Sequence, residues 1–129
     1  MNTLPKDRLF WYKIPDHSHT GMKPCDVVGC LDGKFFAWEF KYHDTLAAFS
    51  YSKVTTNQVE SLLHIKAAGG EARIFLGVKL SLTVEEAARR GFKSRFTQFV
   101  KSWDIDEYIA LAKTSKSLSI LEELNGRAR

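Results

Sequence analysis

The sequence predicts an α/β fold built on a mixed β-sheet, and three observations carry that expectation. Asp32-Gly33 sits between two apolar runs, Asp26 to Leu31 and Lys34 to Lys41, a strong short-range signal for an antiparallel hairpin. Thr55 to Ala68 carries the start and stop signals of a helix, with Thr and Asn at the front and Gly69-Gly70 behind. It leads into Glu71 to Val78, close to continuously apolar after its first residue, as buried parallel strands are. Strand, helix and strand in that order describe a right-handed crossover unit.

The remaining elements follow along the chain. Arg8 to Ile14 is aromatic and aliphatic, stops at Pro15, and reads as a strand. Pro15 to Lys23 is a loop. Thr83 to Arg90 is helical, with Thr83 as cap and Glu86 three residues on. Asp104 to Ala112 and Ser117 to Leu124 are further helices, the last ending before Gly126. No repeat, low-complexity tract or linker divides the chain, so residues 1–129 are expected to form a single domain.

Composition narrows the function classes. With 129 residues, 44% hydrophobic and 26% charged, the chain reads as globular and not disordered. A chain of this length removes roughly two-thirds of its unfolded surface from water. No run approaches the ~18 apolar residues of a membrane span, and the N-terminus carries no apolar signal core. The expected compartment is the cytoplasm. Cys25 and Cys30 on one strand would stand ~17 Å apart, beyond disulfide reach, and two thiols are too few for a zinc site. The net charge of +4 permits a nucleic-acid partner without requiring one.

Hairpin register then brings chemistry together. A two-residue turn at Asp32-Gly33 pairs Leu31 with Lys34 and, carried back along both strands, sets Asp26 opposite Glu39. Directly opposed residues share a face with Cβ atoms ~5 Å apart, and like charges so placed need a compensating partner. The two-residue period puts Phe35, Ala37, Glu39 and Lys41 on one face and Phe36, Trp38 and Phe40 on the other. Two carboxylates with a lysine beside them suit Mg²⁺ or Mn²⁺, which favour hard oxygen ligands. Such a cation lowers the pKa of a bound water and neutralises phosphate charge, and Lys41 can orient or deprotonate that water or stabilise the phosphorane oxygens. The competing expectation is an exposed sheet face where both acids are simply solvated.

The ordered set Pro24-Cys25-Asp26, Glu39-Phe40-Lys41 and Gln58 resembles the PD-(D/E)xK nuclease superfamily. With Lys23, Trp38, Phe49-Ser50 and Gly69-Gly70 added, the run from about Phe10 to Val78 looks like Holliday junction resolvases of the RecU type and their phage and archaeal relatives. The resemblance implies a restriction-endonuclease-like core and a Mg²⁺-dependent, structure-selective endodeoxyribonuclease, with Mn²⁺ as substitute. It implies that Asp26 and Glu39 bind the metal with the Phe40 carbonyl, that Lys41 is catalytic, and that Gln58 completes the site. Thr55-x-x-Gln58 is equally a capping box, so Gln58 has a local reading too. Branched DNA is the implied partner and a homodimer the implied assembly. A VRR-NUC-type or other flap or linear-DNA nuclease is the alternative, as is an inactive DNA-binding module of the same fold. Two departures stand out: the helix that commonly supplies a further metal-site Glu has no room before Arg8, leaving Asp16 as a substitute, and the long insertion of RecU-type resolvases is missing.

DNA contacts are expected from the stretch between Ala87 and Trp103, which holds Arg89, Arg90, Lys93, Arg95 and Lys101 without an acid and interleaves Phe92, Phe96 and Phe99. Its rival reading is a solvated amphipathic segment. Lys53, in a Tyr42 to Lys53 loop with Phe49 and Tyr51, is a further DNA contact, or part of a dimer surface. His17 and His19 read as exposed loop residues more readily than as Zn²⁺ ligands, His43 as a surface residue, and His64 as structural.

Overall fold

The computed structural model describes residues 8–15 and 23–127. The fold is α/β: a five-stranded mixed sheet in the order β1-β2-β3-β5-β6 with helices packed on it. Strands β1 (Leu9–Lys13), β2 (Val27–Leu31) and β3 (Lys34–His43) form an antiparallel meander. Helix α1 (Thr56–Ala67) crosses over to β5 (Glu71–Ser81), which runs parallel to β3, and β6 (Phe96–Asp104) returns antiparallel beside β5. Between β3 and α1 lie the short strand β4 (Phe49–Ser50) and a single 3-10 turn, Tyr51–Lys53. Helices α2 (Val84–Arg89), α3 (Ile105–Thr114) and α4 (Ile120–Arg127) follow, and β7 (Ser117–Leu118) pairs with β4 in a separate two-stranded sheet.

The hairpin turn works as its residues require. Asp32 has φ 50° and Gly33 φ 82°, the left-handed pair that Asp-Gly tolerates and that matches strand twist. Register runs unbroken from Leu31↔Lys34 to Val27↔Trp38, with no bulge. Gly29 is a close-approach glycine: a Cβ there would stand 2.3 Å from the Phe10 carbonyl and 2.5 Å from the Phe36 ring.

One face of the sheet holds the core. Ala37, Ala72, Ile74, Leu76, Val78, Phe99 and Trp103 meet buried residues of all four helices, among them Leu62, Ala87, Tyr108, Ile120 and Leu124. The other face carries the expected aromatics. Phe36 stacks on Trp38 with ring centroids 4.2 Å apart, and Phe40 stacks on Phe75 at 5.1 Å.

Three expectations need correction. The stretch from Ala87 to Trp103 is not one segment: it is divided between α2, a connecting loop and β6. Thr97, Phe99, Lys101 and Trp103 alternate onto the core face, and the polar Thr and Lys among them hide the period-two pattern. Ser117 to Leu124 is likewise split, its first residues pairing with β4 before α4 begins at Ile120. Within the Tyr42 to Lys53 loop, Phe49 and Tyr51 are buried in the core and are no surface contacts. Among the described residues, no helix is long and apolar enough to cross a membrane.

Candidate metal and phosphate site

The hairpin carries the first acid into place. Asp26 lies one residue before β2 and extends its ladder, its N–H donating to the Trp38 carbonyl at 3.1 Å. Its side chain then reaches across to β3, where Oδ2 accepts the Phe40 N–H at 2.8 Å. Lys23 Nζ donates to the other oxygen, Oδ1, at 2.7 Å.

Glu39 is not solvated. It sits on the core side of β3, 2% exposed, between Ala37 and Lys41. Lys41 Nζ lies 3.0 Å from its Oε2, and Gln58 Nε2 donates to the same oxygen at 3.0 Å. Both readings of Gln58 hold at once, because its Oε1 accepts the Thr55 N–H and closes the capping box of α1. One turn on, Leu62 is fully buried on the same stripe and seats α1 against the sheet.

Electrostatics tie the pair together. Burial pushes the Glu39 carboxyl above its ordinary value; the Lys41 contact opposes this, and the Asp26 charge adds to it. The neighbouring Cys25 thiol is pushed up to about 11, by burial first and then by Glu39 and Asp26, and is inert as a nucleophile. Both cysteines are free, Cys25 buried and Cys30 exposed.

Among the described residues, two buried side-chain atoms have no hydrogen-bond partner, and one of them belongs to a carboxylate. Glu39 Oε1 is buried and has no hydrogen-bond partner, whereas Oε2 has two. The other such buried atom, Trp38 Nε1, is a neutral indole N–H among aromatic rings. An unpaired oxygen on a buried carboxylate is far more costly, and a water or a divalent cation is the kind of partner that would offset it. Hard oxygens from Asp26 and Glu39 fit Mg²⁺ or Mn²⁺. Among the described residues, no third His, Cys, Asp or Glu joins them in a metal-binding group. Asp16, His17 and His19 lie outside the described residues.

The remaining residues are spread out. Arg89 and Arg90 are exposed at the end of α2 and approach Glu86 at 3.8 and 3.7 Å. Lys93 and Arg95 are exposed in the following loop, Arg95 over the Phe96 ring at 5.0 Å. Lys101 is separate from them, on the core face and paired with Glu123 at 2.8 Å. Ser81, the last residue of β5 before α2, lies seven residues beyond Ile74, the partner of Glu39, so this end of the strand stands ~23 Å along the sheet from Glu39. Lys53 is exposed, with its ammonium 5.9 Å from the centre of the Phe49 ring. His43 is buried, contrary to the surface expectation, and donates from Nε2 to the Ala47 carbonyl at 2.6 Å. His64 is exposed on α1 and holds no core position. Lys23 had no signal beyond its place before Pro24; only the fold reveals its pairing.

Clefts lie elsewhere, among them one of about 720 Å³ over Gly77 between Tyr42 and Val100 and one of about 470 Å³ between Tyr51, Val59 and Lys113. Neither is lined by Asp26 or Glu39.

No family model and no curated protein sequence matches the chain. Among solved structures it is similar to Hjc of Archaeoglobus fulgidus, described as a Holliday junction resolvase from an archaeal hyperthermophile. The two share 17% identity over 91% of this chain and 87% of that one, with a TM-score of 0.34.

Proposed function

We propose that this chain is a Mg²⁺-dependent endodeoxyribonuclease that hydrolyses phosphodiester bonds of branched DNA, a Holliday junction resolvase in role, with Mn²⁺ able to replace Mg²⁺. The carrying observation is Glu39: a carboxylate 2% exposed, beside Asp26, with one oxygen left without a partner.

Asp26 and Glu39 would hold the metal, joined by the Phe40 carbonyl. When bound, the cation supplies a water of lowered pKa and neutralises charge on the phosphate. Gln58 fixes Glu39 Oε2 and so leaves Oε1 as the carboxylate oxygen without a partner. Lys41 keeps an ammonium beside the same carboxylate, placed to orient the attacking water or to stabilise the phosphorane oxygens. Arg89, Arg90, Lys93 and Arg95, with Lys53 nearer the acids, bind backbone phosphates away from the cut. The ~23 Å from Glu39 to the end of β5 is about seven base steps of duplex, so an arm of a branched substrate can follow the sheet that far.

A two-fold homodimer presents two such sites to two strands. In support, Tyr42 and Val100 are 80% and 65% exposed on the outer sheet face. The reading places the protein in the cytoplasm.

The test is cleavage of matched four-way, flap and linear DNAs by the purified protein with Mg²⁺. Symmetric cutting of the four-way substrate is expected. Preference for flaps or linear duplex favours a VRR-NUC-like activity, and metal-independent binding without cutting favours an inactive DNA-binding module.

A further inference from the structure

The cavity of about 470 Å³ beside α3 has no part in the metal site, and its walls are tied together. The Tyr108 hydroxyl donates to the Tyr51 carbonyl at 2.6 Å, and the Tyr51 N–H donates to the Lys116 carbonyl at 3.1 Å. Ser50 pairs with Ser117 across β4 and β7. The 3-10 turn is thus laced to α3 and to the loop that follows it. A cavity held in this way needs little reorganisation to accept a ligand.

Its lining suits an amphipathic anion. Tyr51, Val54, Val59 and Ile109 make an apolar floor, and Ser52 and Thr56 bring hydroxyls that both donate and accept. Lys113 and Lys116 are exposed, neither is in an ion pair among the described residues, and no Asp or Glu lines the space. A planar ring carrying a phosphate matches both halves, area for the floor and charge for the lysines. Val59 directly follows Gln58, and their side chains leave α1 about 100° apart. Cavity and acids therefore lie on two flanks of one helix, ~10–12 Å thick. Lys53 stands between Ser52 and Val54 in the chain, so the cavity continues the surface that the proposed function gives to DNA.

We propose that this cavity receives one unpaired nucleotide of the DNA strand, its base on the apolar floor and its phosphate between Lys113 and Lys116. This rests on the reading of the chain as a DNA nuclease and adds a source of selectivity to it. A fully paired duplex keeps its bases stacked inside and cannot fill the cavity, whereas a bulge or a frayed branch point offers an unstacked base at little cost.

The experiment titrates two duplexes, one fully paired and one with a single unpaired thymidine, in chelator, which leaves both uncut. The wild type should bind the second about tenfold more tightly, the order expected for seating one base on such a surface. Ala112→Phe, at an exposed position of the lining, fills the space and should erase that preference while the paired duplex binds as before. Lys113→Gln with Lys116→Gln should shrink the preference, and should also make it less sensitive to salt than in the wild type. A third arm titrates thymidine monophosphate alone, followed by the amide resonances of Ala112 and Lys113. Weak, millimolar binding is expected, since the strand tethers its nucleotide through neighbouring contacts and the free nucleotide has none.

Equal affinity for the two duplexes, or a preference that survives Ala112→Phe, overturns the cavity as a nucleotide site and leaves the DNA reading standing. Micromolar binding of the monophosphate without a preference for the unpaired duplex assigns the cavity to a free nucleotide and overturns the strand. If neither duplex binds, the DNA reading itself fails and the proposal falls with it.

Discussion

Glu39→Gln should stabilise the metal-free protein while removing its response to metal. The native carboxylate is 2% exposed with Oε1 unpartnered, and a buried acceptor left unpaired costs about 1–3 kcal/mol, more when charged. An amide with its oxygen in the Oε2 place keeps the contact with Gln58 and removes the buried charge, leaving a neutral NH2, cheaper to bury than a charged oxygen, where Oε1 stood. Against that stands the loss of the Lys41 pair. Lys41 is 22% exposed and can turn to water, so this loss is held to about 0.5–1 kcal/mol. The net gain is about 1 kcal/mol, a rise in Tm of about 3–5 °C for a chain of this length. With Mg²⁺ at ten times its Kd the wild type gains about 1.4 kcal/mol and the variant nothing, so the order closes or inverts. Thermal unfolding of both proteins in chelator and in Mg²⁺ reads this directly. A variant less stable than wild type in chelator would make Glu39–Lys41 a structural ion pair, and a wild-type Tm indifferent to Mg²⁺ would remove the metal from the account.

Lys41→Ala should abolish cleavage while leaving DNA affinity within a few-fold, since one charge contributes little to an interface of many phosphates; gel shift and cleavage on the same DNA separate the two, and parallel losses would make Lys41 an ordinary phosphate contact. Arg89→Ala with Arg90→Ala should flatten the slope of log affinity against log salt by about one unit per lost contact; an unchanged slope in a folded protein assigns these arginines to solvent, as their approach to Glu86 would allow. Burial raises the Asp104 carboxyl, but Lys66 and the Asp106 amide outweigh it and hold the group below its ordinary value. Its folded pKa being depressed, the pair contributes above the unfolded pKa near 3.8 and is lost as pH falls through the folded value. Asp104→Asn, which keeps the cap of α3, should therefore cost about 0.5 kcal/mol at neutral pH, by urea unfolding, and almost nothing near pH 2; a difference that persists in acid would point to packing instead.

What the sequence reveals and hides follows from the range of the forces involved. The turn at Asp32-Gly33 is legible because left-handed backbone selects residue types, and it alone sets the register that places Asp26 beside Glu39. The helix α1 is legible from a capping box four residues long. Strand β6 is not, because Lys101 occupies a core-face position that it can hold only by pairing with Glu123, more than twenty residues away. His43 reads as a surface residue until the Ala47 carbonyl, supplied by the loop beyond it, accepts its proton. The burial of Glu39 was hidden for the same reason. Period and register say which face it takes, whereas the helix that covers that face, and Gln58 with it, arrives only with the tertiary fold.

The central claim is that Asp26 and Glu39 form one divalent-metal site, and anomalous diffraction from crystals soaked in Mn²⁺ tests it most directly. The account predicts a single strong peak within ~2.3 Å of an Asp26 oxygen, of Glu39 Oε1 and of the Phe40 carbonyl, absent from Asp26→Asn crystals. No peak between the two carboxylates, or one held by other residues and unchanged in Asp26→Asn, would contradict it.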